Sequence, residues 1–279
     1  RKSYKLRMKL QLSYKSLRKT GYLSNTGSTF CNFAHSAFVR KFQLVMFKQQ
    51  PLTRLKLYCF IFFCTLLTPA FAQKETNNWY FGEFAGLDFN PGAPVALTNG
   101  ALNTNEGCAS ISDAAGQLLF YTGGNRVFNR NHLQMPNGFG LMGDISSTQS
   151  AIIVPQPGSS TLYYIFTVDE EGGPNGLRYS MVDLNLQGGL GDVFVKNVPL
   201  VAPTSEKVTA VKHNNNFDVW VITHEWESDA FYAYLVTAAG VSAAPVVSNV
   251  GLVHTGGSIA TNGNSAGYMK VSPLGNKLA

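Results

Sequence analysis

The sequence predicts an all-β protein: a β-propeller-like repeat of four-stranded antiparallel blades, incomplete, with about four blades present. Three observations predict it. One strand-turn-strand phrase recurs at 108–121, 151–164, 208–220 and 268–279. Aligning Ile111, Val154, Val211 and Val271 sets the copies 43, 57 and 60 residues apart, the period of propeller blades or a similar array. The runs at 118–121, 162–167, 218–223 and 231–237 are rich in β-branched and aromatic residues, and no segment after residue 72 holds a 3.6-residue apolar period. A β-sandwich with Greek-key connections has the same spacing of turns and is the alternative architecture.

The elements follow in chain order. Residues 1–72 hold 13 of the 22 Lys and Arg and none of the 16 Asp and Glu. The formal charge of +6 therefore belongs to the leader, and the remainder is acidic. This excludes nucleic acid as the expected partner. Residues 1–45 are basic, lack apolar periodicity and begin with Arg1; they are expected to be non-native upstream sequence or a disordered segment, with Met46 the initiator. Residues 46–72 read as a secretory signal. Lys48, Arg54 and Lys56 form the positive region, 57–67 the apolar core, and Pro69-Ala-Phe-Ala72 the small-x-small cleavage pattern before Gln73. The apolar run is too short for a membrane anchor, so no stable span is expected after cleavage.

Residues 73–279 form the predicted propeller-like domain. Asn78-Trp-Tyr-Phe-Gly82 is an opening strand with no partner of its own, expected to complete a last blade; unpaired, it would invite aggregation. Turns at 113–116, 156–158, 214–216 and 273–276 are built from Asp, Asn, Gly and Pro, which favour reversals through φ control and side-chain bonds to the main chain. In the second copy 176–184 and 192–198 supply third and fourth strands; in the third copy 231–237 and 246–250 do the same. The chain stops inside the second strand of the fourth copy, so a C-terminally truncated domain is expected. Cys108 is the one cysteine after residue 72, which excludes an intrachain disulfide there and points to a small buried side chain.

The segments 77–82, 86–90, 107–122, 129–132, 135–138, 147–151, 206–210 and 220–224 resemble those of large surface proteins of Bacteroidota. In that family an N-terminal β-propeller-like region precedes repeat modules and a gliding-motility-associated sorting domain. The resemblance covers nearly all of 73–279 and none of 1–45. It implies Sec export with cleavage near Ala72–Gln73, then type IX secretion to the outer cell surface.

Candidate binding residues come from two places. Glu106, Gln149 and Glu206 occupy equivalent positions ahead of the first strand of successive copies, with Ala266 breaking the series. In a propeller they would ring the mouth of the central channel and hold a ligand or cation; alternatively they cap strand ends by bonding neighbouring backbone. The loop 129–132 concentrates hydrogen-bonding side chains, with Asn129, Arg130 and His132 suited to a carbohydrate or peptide. It also reads as an ordinary inter-strand turn.

No catalytic set and no cofactor are expected. His224-Glu-Trp-Glu227 lacks the second His of a zinc-protease helix, and 169–173 lacks the alternating oxygen ligands of a calcium loop. No Gly-rich loop opens a helix and no G-x-S-x-G elbow occurs. Tyr163, Tyr164 and Trp220 are expected in inter-blade packing. The expected function is a secreted, non-catalytic interaction or adhesion module taking a surface glycan or protein. The alternative is a glycosidase-like extracellular enzyme, which requires convergent carboxylates.

Overall fold

The computed structural model describes residues 74–256, 264 and 266–279. The leader segments, 1–45 and 46–72, lie outside the described residues. Apart from one 3-10 turn, Gln187–Gly189, every regular element described is a strand.

The strands form four antiparallel sheets in chain order. The first holds β1 (Asn78–Phe81), β2 (Ala85–Asp88) and β3 (Val95–Leu97). The second holds β4 (Ala109–Ser112), β5 (Leu118–Thr122), β6 (Arg126–Asn129) and β7 (Gln134–Phe139). The third holds β8 (Ala151–Pro155), β9 (Leu162–Val168), β10 (Leu177–Asp183) and β11 (Asp192–Val201). In the fourth, β12 (Thr204–Lys212), β13 (Val219–Glu225) and β14 (Ala230–Thr237) are followed by β15 (Gly240–Val241) and β16 (Val246–Asn249), which both pair with β14. The predicted blade pattern is therefore the observed one, as an open array in which no sheet closes on itself among the described residues. The fourth copy contributes a single bridge, Val271 to Leu278.

One expectation is corrected. The opening strand has a partner: β1 pairs with β2 in the register Asn78↔Asp88 to Phe81↔Ala85, and β2 pairs with β3. A sheet thus precedes the first recurring phrase. The sequence hid it because β2 and β3 are short and carry none of the β-branched and aromatic run that marks the later strands. In the second sheet, β6 and β7 add third and fourth strands to the first hairpin, with the turn between them at 130–133.

The hairpin turns form as their residues dictate. At 113–117 the Asp113 carboxylate accepts the N–H of Ala115 at 2.9 Å and of Gln117 at 2.8 Å. The left-handed φ of +87° at Gly116 closes that reversal. At 213–218 the Asn215 side-chain oxygen accepts Phe217 N–H and Asp218 N–H, both at 3.0 Å.

Three apolar layers hold successive sheets together. Tyr80, Leu102, Tyr121 and Phe128 join the first to the second. Ile111, Phe120, Val127, Tyr163, Ile165, Val182 and Val193 join the second to the third. Val154, Tyr164, Phe166, Val208, Val221, Tyr234 and Val236 join the third to the fourth. Phe120 meets Tyr163 edge-on at 5.5 Å, so Tyr163 and Tyr164 pack between sheets as expected. Burying each such side chain contributes about 1.5–3 kcal/mol. Cys108 is half-buried against the first layer, and burial raises its thiol pKa.

Candidate functional site

The inner strands β4, β8 and β12 all run from one end of the array, here the upper end, to the other, the lower end. Register places Ala109 opposite Thr122 and Phe120 opposite Asn129. Glu106, three residues before Ala109, therefore lies at the upper end, and Asn129, Arg130 and His132 lie at the lower end. The six predicted residues do not form one site; they divide into two groups at opposite ends of the strands.

At the upper end, Glu206 is buried and 4 % exposed. Its carboxylate accepts Thr148 N–H at 2.9 Å, Thr148 O–H at 2.8 Å and Glu171 N–H at 3.2 Å. Gln149 donates its amide to Met269 O at 3.3 Å and accepts Met269 N–H at 2.7 Å. Thr148 O–H also accepts Gly267 N–H at 3.2 Å. Gln149 and Glu206 thus tie the third sheet to the fourth and to the segment that follows it. Glu106 differs: its side chain is exposed, while its N–H donates to Ile145 O at 3.1 Å.

Neighbouring charges shape this end. The Glu170 carboxyl is held above its ordinary range, chiefly by Asp144, then by burial and by Glu171, Asp169 and Glu206. Lys207, half-buried, is pulled down to about 8 by burial, against the opposing pull of Glu206; its ammonium donates to Ala266 O at 3.0 Å. The acidic turn spends a carboxylate on itself, as Asp169 accepts Glu170 N–H at 3.1 Å and Asn175 N–H at 2.9 Å. Among the described residues no three His, Cys, Asp or Glu are grouped to hold a metal ion. His224 instead stacks on His254, ring centroids 4.1 Å apart and 21° from parallel. Its Nδ1–H donates to Glu225 O at 2.8 Å, and Nδ1 of His254 is buried with no hydrogen-bond partner.

At the lower end, Asn129 is buried and shapes its own turn, accepting Asn131 N–H at 2.9 Å and Leu133 N–H at 3.3 Å. The Arg130 guanidinium donates to Gly189 O in the adjacent loop of the third sheet. His132 adopts φ +62° and belongs to a polar chain. Tyr80 O–H donates to Asn99 Oδ1 at 3.2 Å, Asn99 Nδ2 donates to His132 Nε2 at 2.8 Å, and His132 Nδ1 faces Tyr121 O at 3.2 Å. Asn99 can satisfy both neighbours only if Nε2 accepts, so the imidazole proton sits on Nδ1. Burial lowers the His132 pKa and raises that of Tyr121 to about 12. Residue order does not announce Asn99 and Tyr80 as partners of His132; they meet because the first sheet packs on the second.

A shallow cavity of about 260 Å³ lies where β14 turns into β15. Its lining of Leu235, Thr237, Ala239, Gly240, Val241 and Ser242 includes no ionisable side chain. No helix among the described residues is long and apolar enough to cross a membrane. Comparison with protein-family models, with curated proteins and with solved structures finds no match. Fold and geometry define the class: an all-β, propeller-like array of antiparallel sheets with two dissimilar polar ends.

Proposed function

We propose that the chain is a secreted, cell-surface interaction module without catalytic activity, which takes a surface glycan or protein at the lower end of its sheets. One observation carries this. Turns at that end present large apolar side chains to solvent, Leu133 at 63 %, Phe217 at 54 % and Leu274 at 85 % exposed, beside the polar loop of Arg130 and His132. The upper end exposes Phe84, Phe139 and Leu252 as well, so the lower end is chosen for Leu133, which stands in one loop with the hydrogen-bonding Arg130 and His132 and adds apolar contact area for a partner. Glu106, exposed at the upper end, lies outside the proposed surface. Export and surface display rest on the signal-like leader and on the resemblance to Bacteroidota surface proteins. The test is a glycan-array and surface-protein binding screen with the secreted protein. Binding weakened by Leu133→Ser and Arg130→Ala, and unchanged by Glu106→Gln, is the expected result; binding insensitive to all lower-end changes overturns it.

One observation favours the second function, a glycosidase-like enzyme: several carboxyl groups gather at this end, where Glu170 is raised chiefly by Asp144 with Glu171, Asp169 and Glu206 contributing. Polysaccharide hydrolysis abolished by Glu170→Gln would select it over the module.

A further inference from the structure

The segment that leaves the fourth sheet is fastened to it at a titratable pair. After β16 the chain passes over the turn between β13 and β14. Val250 N–H donates to Asp229 O at 3.0 Å, and His254 N–H donates to Ser228 O at 2.9 Å. Between these bonds Gly251, Leu252 and Val253 are exposed, Leu252 at 76 %, and Thr255 is exposed beyond them. His254 is the large side chain of this strap that turns inward. Gly256 ends it so near Trp226 that a Cβ there would come within 3.0 Å of the ring.

The seat of the His254 ring is a second imidazole. His224, near the end of β13, is 1 % exposed. The two rings lie 4.1 Å apart and 21° from parallel, and Phe231 closes on His224 edge-on at 4.5 Å. Two neutral imidazoles stack favourably at this distance; two imidazolium charges in the same buried place repel. Nδ1 of His254 is buried with no hydrogen-bond partner among the described residues. A proton placed there becomes a buried donor that nothing accepts.

The surrounding groups favour the neutral pair. Burial disfavours charge on both rings; at His254 the His224 ring and Lys207 on β12 add to it, and Lys207 adds to it at His224. Against this, the Glu225 main chain, Asp229 and the Glu225 carboxylate favour charge on His224. Those carboxylates have other partners: Glu225 accepts Tyr232 O–H at 3.2 Å and Asp229 accepts the Asn249 amide at 2.8 Å. Glu227 lies against Gly256, and residues 257–265 contain no ionisable side chain.

We propose that residues 251–256 form an acid-released latch, closed by His254 docked on His224 and opened by protonation of the pair while the sheets stay folded. A freed His254 regains the ordinary imidazole value near 6.5, above its docked value of about 4, so release takes up protons. The latch is therefore closed above about pH 6.5 and opens as pH falls toward 4. Opening uncovers His224 and the Trp226 ring beside Gly256, at the upper end. The device does not depend on the lower-end binding surface.

Amide hydrogen exchange of the purified chain, with each rate divided by the intrinsic rate at that pH, tests it. Between about pH 7 and about pH 4.5, protection of the Val250 and His254 amides should fall more than about tenfold, while β9 and β13 keep theirs. His254→Phe keeps a ring on His224 that takes no proton, and should hold the strap protected across the same range. In the unsubstituted chain the His254 ring protons should titrate together with the loss of protection. An equal fall in His254→Phe, or titration of His254 with protection intact, overturns the proposal. Loss of protection in β9 and β13 in step with the strap overturns it in favour of global unfolding.

Discussion

The first and third sheets are made of similar residues and live in different surroundings. β9, Leu-Tyr-Tyr-Ile-Phe-Thr-Val, is buried along six of its seven positions because sheets cover both of its faces. β1, Asn-Trp-Tyr-Phe, is as aromatic, yet burial alternates: Asn78 and Tyr80 are covered while Trp79 and Phe81 are not. A continuous apolar run is the pattern of a strand buried on both faces. β1 has that composition with one face bare. The difference teaches that burial of a strand is set by the sheets packed on its faces and not by its own residues alone.

The largest break in the comparison is expected in the third sheet. Phe166 is fully buried in the layer shared with the fourth, and Phe166→Ala should cost about 3–5 kcal/mol in denaturant unfolding. Glu206→Ala comes next, since it strands the N–H and O–H of Thr148 and the N–H of Glu171 at the joint between those sheets. A loss of about 2–3 kcal/mol is expected by the same measurement.

Acid should then weaken the fourth sheet. Burial lowers His224 and pulls His254 down to about 4, with Lys207 adding repulsion to both. Glu225 and Asp229 oppose the effect on His224. Both folded pKa values lie below that of a free imidazole near 6.5, so the unfolded chain binds protons more readily. Stability from the pair is complete above about pH 6.5 and falls as pH drops toward 4. The melting temperature should decline across that window, and His254→Gln should flatten the decline.

The smallest effect belongs to the first sheet: Trp79→Ala should change stability by no more than about 1 kcal/mol, because half the ring is already in water.

Residues alone announced the all-β class, the hairpins at 113–116, 156–158 and 214–216, and the long strands β9, β10, β13 and β14, because turn stereochemistry and β-branched runs act over a few neighbours. They also marked Gln149 and Glu206 as matched positions. What these residues bond was settled elsewhere: Thr148 and Glu171 for Glu206, Met269 for Gln149, and Asn99 and Tyr121 for His132 are brought in by sheets packing side by side. The separation of Glu106 from Asn129, Arg130 and His132 came from register, which a linear order does not display.

The sequence by itself therefore determined the repeat, the strand-turn-strand units and the polar residues that stand at their ends, since each depends on local conformation and alternation. Only the tertiary structure decided that Tyr80 stacks on Tyr121 at 4.5 Å and that the rings of two histidines stack at 4.1 Å. Such contacts belong to pairs of segments far apart in the chain, and hydrogen bonding and burial across sheets set them.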